Sequence, residues 1–387
     1  MKHLYFFALL LIAITNFVGC KQKHIRSTTY NYSTPLDLSD GISVANAFDY
    51  EIDTLQLVKL TKLILSDTIP NIHSLLILKN NHLVYENYFE GEDEKVGKKL
   101  GYISHSANDL HDCRSITKSV TSACIGIAVN KGLIKSIDDP IFPYFKQEYQ
   151  NKFDDKKKKI TIRHLLTMTS GLKWNEDISY RDPRNTELRM DISSDPVGFV
   201  LGRPMVAEPG KLWNYNGGNT QLLAEIIKSV SGLTIDKFAE KELFEPLGIN
   251  QYEWTNLKEN VPASASGLRL RSRDLLKIGM LYINKGLWNE KQLIQPEWID
   301  LTLNSAITRP STKDTNAGYG FQFWTFTEIV NGKTIGIQEA KGNGGQRIFF
   351  CKSLNIVVVI TAGNYNNWEI KNNSKVLFIN HILPIIK

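Results

Sequence analysis

The apolar run from Ile356 to Ile360 is the feature that most limits what this chain can fold into. Its residues, Ile-Val-Val-Val-Ile, are all β-branched and apolar, so a strand formed here would be apolar on both faces. Such a strand needs cover on both sides. The sequence therefore places this segment in the middle of a sheet that is packed between two layers.

The other strand-like segments lie near the two ends of the chain, and the helical candidates lie mostly between them. A hairpin is predicted for 75–79 and 83–89, which flank Asn-Asn-His. Further strands are predicted at 319–330, 333–340, 346–352 and 355–362, with Asn331-Gly332 as a tight turn after the first. Apolar periodicity and glycine stops predict helices at 113–130, 161–168, 219–230, 234–243 and 272–285. We predict an α/β (α+β) fold, an antiparallel sheet built from both chain ends and flanked by helices, with a mostly helical insertion over about 145–250.

The first twenty residues resemble an export signal. The apolar stretch from Leu4 to Val18 is shorter than the ~20 residues that span a bilayer, and it ends at Val18-Gly19-Cys20. A small residue before cysteine resembles the bacterial lipobox, which implies acylation of Cys20, although Phe17 stands where leucine is usual. We expect a signal peptide over 1–20, a polar tether over 21–45, and a folded domain over 46–387. A plain signal peptide and an uncleaved anchor remain alternatives.

Charge and cysteine content exclude several classes of partner. Lysine and arginine number 46 against 40 acidic residues, a net charge of +6 without a basic stripe, so no nucleic-acid partner is expected. Cys113, Cys124 and Cys351 have no metal-like spacing and are expected as buried free thiols. On one helix from residue 113, Cys113 and Cys124 would lie too far apart to pair. The eight histidines form no metal-like cluster in the sequence, so neither a metal nor a cofactor is expected.

The segment Ser115-Ile116-Thr117-Lys118 is the strongest chemical signal. The chain has no Gly-x-Ser-x-Gly elbow, no His-Glu-x-x-His and no phosphate-binding loop. Ser115 opens a predicted helix, on which positions three apart share a face, so the lysine amine can reach the serine oxygen. A second match, from Ser170 to Lys173, is interrupted by Gly171. The alternative for Ser115 is a helix-capping serine with a solvated lysine one turn later.

A serine hydroxyl becomes a good nucleophile only when a base takes its proton. Lys118 can serve as that base only if its pKa falls toward neutrality. Burial and the positive end of a helix both lower the pKa of a lysine. We therefore expect Lys118 to be buried, with a lowered pKa.

Four segments together resemble the serine β-lactamase and penicillin-binding-protein superfamily, particularly its class C β-lactamase, esterase and 6-aminohexanoate-dimer hydrolase branch. The resemblance covers about residues 45 to 385 and follows the order of the family motifs. It implies an acyl-enzyme on Ser115, with no cofactor. The segments are 110–120, 161–172, 209–223 and 342–346.

The resemblance also implies roles for other residues. Tyr215 stands at the tyrosine of the family's Tyr-x-Asn motif and would relay a proton. The backbone N–H groups of Ser115 and of Asn343, expected on an edge strand, would bind the oxyanion. The asparagine position of the motif holds Gly217, so Asn216 or Asn219 is expected to supply the missing amide.

The third family motif also departs from its pattern. Ala340 stands where the family has a cation that holds substrate carboxylates, and Lys341 follows one place later. Strand neighbours point to opposite faces, which predicts that Lys341 turns away from the site. Lys341 and Gly342 nevertheless remain candidates for substrate binding, as does Asn219.

These observations predict an exported serine hydrolase that acts through an acyl-enzyme on a small ester or amide. The expected location is the bacterial cell envelope, facing the periplasm or exposed at the surface, with membrane contact through the lipid anchor alone. One alternative is a D-amino-acid peptidase or a weak β-lactamase. Another is a non-catalytic acyl-binding or envelope-sensing module.

Overall fold

The computed structural model of the chain describes residues 29–304, 307–308, 317–367, 369–370 and 372–386. The predicted signal peptide, Cys20 and the first part of the tether lie outside the described residues, so those expectations stay predictions. Within these ranges, no helix is both long enough and apolar enough to cross a membrane.

A nine-stranded sheet forms the centre of the protein. Its order is β1-β3-β2-β16-β15-β14-β13-β12-β11, antiparallel throughout except for the β1–β3 pair. The strands from the two chain ends meet where β2 pairs with β16. The strands of this sheet are β1 (Ser43–Val44), β2 (Ile72–Lys79), β3 (His82–Tyr88), β11 (Ile307–Thr308), β12 (Gly318–Tyr319), β13 (Trp324–Val330), β14 (Lys333–Gly342), β15 (Gln346–Cys351) and β16 (Ile356–Ala362).

Strand β16 occupies the middle position that its apolar run predicts. Val358 pairs with Ile77 of β2 on one side and with Phe349 of β15 on the other. Alternate residues of β16 enter two different cores, with Val357 in one and Val358 in the other. The covered antiparallel sheet built from both chain ends is therefore confirmed.

Helices cover both faces of the sheet. One core is formed with α2 and α8, and the other with α1 and the C-terminal helical segment. Helices α3 to α7 lie in the middle of the chain, where α6 packs against α2, α3, α5 and α7. The helices are α1 (Thr54–Leu65), α2 (Ile116–Asn130), α3 (Ile162–Leu166), α4 (Thr186–Asp191), α5 (Pro196–Leu201), α6 (Gly217–Ser231), α7 (Ile235–Ala239), α8 (Ser272–Ile283), α9 (Pro296–Asn304) and α10 (Asn373–Leu377).

Three small sheets were not predicted from the sequence, because their strands are short or polar. The pair β4 (Gly91–Lys95) and β5 (Lys98–Ile103) contains three lysine residues and few apolar ones. Strand β6 (His111–Asp112) leads into α2 and pairs with β8 (Leu268–Leu270), which also pairs with β7 (Glu253–Trp254). The third pair is β9 (Leu287–Trp288) with β10 (Lys291–Gln292).

Two predictions about local structure are corrected. Helix α2 begins at Ile116, so Cys113 precedes the helix instead of sharing it with Cys124. Cys113, Cys124 and Cys351 are buried and free, as expected. The prediction that the histidines form no metal-like cluster is wrong, because the fold brings together His73, His105 and His111 with Asp93. Their spacing gave no signal, since each comes from a different segment.

The two-sided cover of β16 leads to a stability prediction. Ile360 of β16 is fully buried, whereas Ile329 of β13, in the same sheet, is 76% exposed. Ile360→Ala should lower the free energy of unfolding by about 2–5 kcal/mol, because it leaves a cavity in a packed core. Ile329→Ala, the matched control, should change it by less than about 0.5 kcal/mol. Urea unfolding measures both, and equal effects would contradict the proposed packing.

Candidate active site

Ser115 stands at the junction between β6 and α2. The preceding residue, Arg114, has a φ of +50°, a strained conformation for a residue with a side chain. Ser115 occupies the N-cap position of α2, but its side chain makes no capping hydrogen bond. Its Oγ instead lies 3.1 Å from the Nζ of Lys118, which is only 1% exposed. The alternative of a capping serine with a solvated lysine is therefore wrong.

The Lys118 ammonium is surrounded by acceptors. Besides Ser115, its Nζ lies 3.2 Å from the backbone oxygen of Ala265, 3.3 Å from Glu187 Oε2 and 3.5 Å from Glu176 Oε1. Burial alone would lower the pKa of Lys118, but the charges of Glu176 and Glu187 outweigh burial and raise it. The expectation of a lowered pKa is therefore wrong, because these carboxyl groups come from segments remote in the sequence and meet Lys118 only in the folded chain.

The two glutamates differ in acidity. Glu176 accepts hydrogen bonds from Trp174 Nε1 at 2.8 Å, Tyr180 OH at 2.8 Å and the N–H of Gly217 at 2.7 Å. Burial opposes its ionisation, but Lys118 and these donors hold the pKa of Glu176 below its ordinary value. Burial and the charge of Glu176 raise the pKa of Glu187 far above its ordinary value. Glu176 is therefore the more acidic of the two carboxyl groups.

The glutamate pair explains why position 217 is a glycine. A Cβ atom on Gly217 would lie 2.4 Å from Glu187 Oε2, so an asparagine here would collide with that carboxyl group. Asn216 and Asn219 do not replace it in the cavity beside Ser115. Asn216 accepts a hydrogen bond from the N–H of Asn219 at the start of α6. Asn219 is fully buried and accepts a 2.8 Å hydrogen bond from Ser170, which also accounts for that serine.

Tyr215 lies beside the nucleophile. Both residues line the same cavity, and Lys118 Nζ lies 5.0 Å from the centre of the Tyr215 ring. Burial raises the pKa of Tyr215 to about 12, although the charge of Lys118 acts in the opposite direction. At neutral pH the phenol is therefore protonated. It can pass that proton on when the reaction changes the charge nearby.

A cavity of about 160 Å³ opens in front of Ser115. Tyr215 and Trp324 form an aromatic wall, with ring centres 5.3 Å apart. Lys341 also lines this cavity, with its Nζ 5.3 Å from the centre of the Trp324 ring. The expectation that Lys341 turns away is wrong, because strand alternation sends Ala340 into the core and Lys341 into the cavity.

Asn343 and Gly342 complete the wall opposite the aromatic rings. Both line the same cavity as Ser115. Asn343 follows β14 in the turn to β15, two interior strands, and is not on the expected edge strand. Its side chain donates to Asn366 Oδ1 at 2.9 Å and accepts from the Asn366 N–H at 3.1 Å. A Cβ atom on Gly342 would lie 2.3 Å from the Cys113 oxygen, so glycine permits this close approach.

A second cavity, of about 340 Å³, also has Ser115 in its lining. Its lining includes Arg114, Arg181 and Asp191. Burial, together with the charge of Glu176, raises the pKa of Asp191 to about 7. Ser115 therefore lines two neighbouring cavities, whose linings also share Tyr180, Asn343 and Asn366.

Comparison with known proteins agrees with this architecture. A family model described as Beta-lactamase matches residues 73–374. An uncharacterised protein of Alkalihalophilus pseudofirmus is 24% identical over 258 residues, which cover 62% of this chain and 66% of that protein.

Two solved structures share the fold. A candidate 6-aminohexanoate-dimer hydrolase from Bacillus anthracis superposes with a TM-score of 0.66 at 19% identity, covering 92% of this chain and 89% of that one. EstCE1, a hydrolase with promiscuous acyltransferase activity, superposes with a TM-score of 0.64 at 14% identity, covering 83% and 97%. The family match spans most of the described residues, including both walls of the site. The chain belongs to the beta-lactamase family.

Proposed function

We propose that this protein is a serine hydrolase that forms an acyl-enzyme on Ser115, with a small ester or amide as substrate. The observation that carries the proposal is the 3.1 Å contact between Lys118 Nζ and Ser115 Oγ, made beside Tyr215 at the edge of a cavity. Membership of the beta-lactamase family and the hydrolases among the structural neighbours support it. A non-catalytic acyl-binding module would have no need of this buried charge arrangement.

In the proposed reaction, Ser115 Oγ attacks the substrate carbonyl carbon as its proton passes to the pair formed by Tyr215 and Lys118. The new C–O bond places negative charge on the carbonyl oxygen, which the N–H groups of Ser115 and Asn343 would bind. The carbonyl re-forms as the bond to the leaving group breaks, and Tyr215 returns the proton to that group. Water then cleaves the acyl-enzyme by the same steps in reverse order.

Covalent labelling tests the nucleophile. A fluorophosphonate probe should label the protein once, at Ser115, because only an activated serine displaces fluoride from phosphorus. Ser115→Ala should abolish labelling, which mass spectrometry of the intact chain and its peptides detects.

Ser170→Ala is the matched control, since Ser170 begins the other Ser-x-x-Lys match and donates its proton to Asn219. It should keep labelling at the wild-type level. Undiminished labelling of Ser115→Ala, or a label found on Ser170, would refute the assignment.

The protonation of the site predicts a dependence on pH. The raised pKa values of Lys118 and Tyr215 mean that both groups hold their protons at neutral pH. The fraction of the pair that lacks one proton grows about tenfold per pH unit until the pH reaches its pKa. For a neutral ester, kcat/KM should therefore rise with a logarithmic slope near one from about pH 6 to 9.

Two matched variants, each of which replaces one glutamate, identify the carboxyl group that determines this pH dependence of kcat/KM. Glu176→Gln removes the carboxylate beside Lys118, so the rise should move to lower pH by about one unit or more. Glu187→Gln removes the less acidic carboxyl group of the pair and should move the rise by less than Glu176→Gln does. A pH-independent kcat/KM, or a larger shift for Glu187→Gln, would contradict this protonation scheme.

A D-amino-acid peptidase or weak β-lactamase is the second candidate. It is favoured by the position of Lys341, whose side chain lines the cavity and could hold a substrate carboxylate. Against it stands Gly217, which removes the amide that the resemblance expects there. A lost hydrogen bond typically costs about 0.5–1.5 kcal/mol, or about 1.5–3 kcal/mol when the partner is charged.

Substrate panels separate these two candidates. We expect kcat/KM for nitrophenyl acetate to exceed that for a chromogenic cephalosporin at least about tenfold, the factor that corresponds to 1.4 kcal/mol. Lys341→Met should leave ester hydrolysis unchanged and lower cephalosporin hydrolysis further, with Ser115→Ala as the blank. Cephalosporin turnover near 10⁵ M⁻¹s⁻¹, on the usual scale of about 10⁴ to 10⁸, would favour the second candidate instead.

We also propose that the protein is exported and anchored through an acylated Cys20. The support is the lipobox-like Val18-Gly19-Cys20 sequence after an apolar stretch. The native protein should fractionate with membranes and partition into detergent, while Cys20→Ser should be soluble or unprocessed. Soluble wild-type protein with an unmodified N-terminus elsewhere would refute the anchor.

A further inference from the structure

Three histidines and an aspartate converge outside the two cavities beside Ser115. His73 comes from β2, Asp93 from β4, His105 from the segment after β5, and His111 from β6. One ligand atom from each lies within 4.8 Å of all the others. The side chains are buried, with exposed fractions between 0% and 6%. Buried polar atoms need hydrogen-bond partners, so the positions of the hydrogens on these imidazole rings decide whether the cluster is favourable.

Hydrogen bonds at the rim fix the outward nitrogens of two histidines. Asn71 is oriented by Glu92, because its Nδ2 donates to the Glu92 oxygen at 2.9 Å and its Oδ1 accepts from the Glu92 N–H at 2.8 Å. Asn71 Oδ1 also faces His73 Nε2 at 3.4 Å, so that nitrogen carries the hydrogen. His105 Nδ1 donates to the backbone oxygen of Phe89 at 2.7 Å.

The third histidine follows the same arrangement. His111 Nδ1 faces the backbone oxygen of Asp112 at 3.3 Å, and a carbonyl oxygen can only accept. In their neutral forms, all three imidazoles therefore carry their hydrogen on the outer nitrogen. Their inner nitrogens, Nδ1 of His73 and Nε2 of His105 and His111, present lone pairs to one another and to Asp93.

This convergence is repulsive without a cation. His73 Nδ1 lies 2.8 Å from His111 Nε2, and Asp93 oxygens lie 3.8, 3.3 and 3.6 Å from the inner nitrogens of His73, His105 and His111.

We propose that this cluster is a structural zinc site, with Zn²⁺ bound by His73, Asp93, His105 and His111. Zinc prefers four nitrogen, sulfur or oxygen ligands in a tetrahedron, at about 2.0–2.1 Å from nitrogen, which separates neighbouring ligand atoms by about 3.3 Å. The four separations given above all lie within half an ångström of that value. Outer hydrogen bonds from each imidazole to an oxygen acceptor are typical of histidines that bind metals.

The surrounding backbone is packed to fit this cluster. A Cβ atom on Gly91 would lie 2.4 Å from Asn71 Oδ1 and 2.7 Å from His73 Nε2. A Cβ atom on Gly363 would lie 2.6 Å from His73 Cε1. Glycine at both positions therefore leaves room for the first histidine and for the asparagine that orients it.

Zinc bound by this cluster would hold the walls of the active site in position. Tyr365 OH lies 3.3 Å from Asp93, and the guanidinium of Arg114 lies 4.8 Å from the centre of the Tyr365 ring. Arg114 directly precedes the nucleophile, while the residue after Tyr365, Asn366, holds the side chain of Asn343. The metal would therefore help to position these neighbours, and it would not contact the reacting atoms.

Metal analysis of the full chain tests the proposal. After incubation with Zn²⁺ and gel filtration, the wild-type protein should retain about one zinc per chain. His105→Ala and Asp93→Asn should each reduce the retained zinc at least tenfold, while His381→Ala, a histidine outside the cluster, should not. Co²⁺ in place of zinc should give the visible absorption of a tetrahedral site in the wild type and in His381→Ala only.

Thermal unfolding provides a readout that does not depend on the variants folding. Removing metal with a chelator should lower the Tm of the wild-type protein by about 5 °C or more, and Zn²⁺ but not Mg²⁺ should restore it. Wild-type protein that retains less than about 0.1 zinc per chain would overturn the proposal. So would zinc that is retained equally by every variant, or an imidazolium signal from His73 or His111 at neutral pH in the zinc-treated chain.

Discussion

The pairing of β2 with β16 is the contact on which the rest of the structure depends. It joins strands from opposite ends of the chain in one register, from Ile356 opposite Lys79 to Thr361 opposite Ser74. Ser74 also hydrogen-bonds to Thr361 and to Ser272 at the start of α8, both at 2.7 Å, so the same pairing fixes a covering helix. The turn after β14, which carries one wall of the site, can face Ser115 only once this sheet has formed.

Within that frame, the site depends on a buried ion pair. Removing one partner of such a pair typically costs about 3–5 kcal/mol, because the remaining charge is left buried without compensation. Glu176 serves as the partner of Lys118 and is itself held by a tryptophan, a tyrosine and the N–H of Gly217. The absence of a side chain at Gly217 is therefore part of the same electrostatic arrangement, since the two glutamate carboxyl groups occupy the adjacent space.

Several features could be predicted because they depend on neighbours in the sequence. The apolar run of β16 requires cover on both sides wherever it lies, and the structure provides that cover. The spacing of Ser115 and Lys118 places both on one face of α2 by helix geometry alone. The turn at Asn331 and Gly332 follows from the backbone conformations that these residues accept, since both have positive φ values.

Tertiary structure alone decided the protonation states at the active site and the existence of the cluster of three histidines and an aspartate. Lys118 was expected to lose its proton readily, but Glu176 and Glu187 reach it from outside its own helix and reverse the direction of its pKa. His73, His105 and His111 likewise meet only after four segments have packed together. Sequence by itself determined which strands, turns and helical faces form, because those depend on short-range sterics and on periodicity. The charge states depend on burial and on distances between remote residues, which exist only in the folded chain.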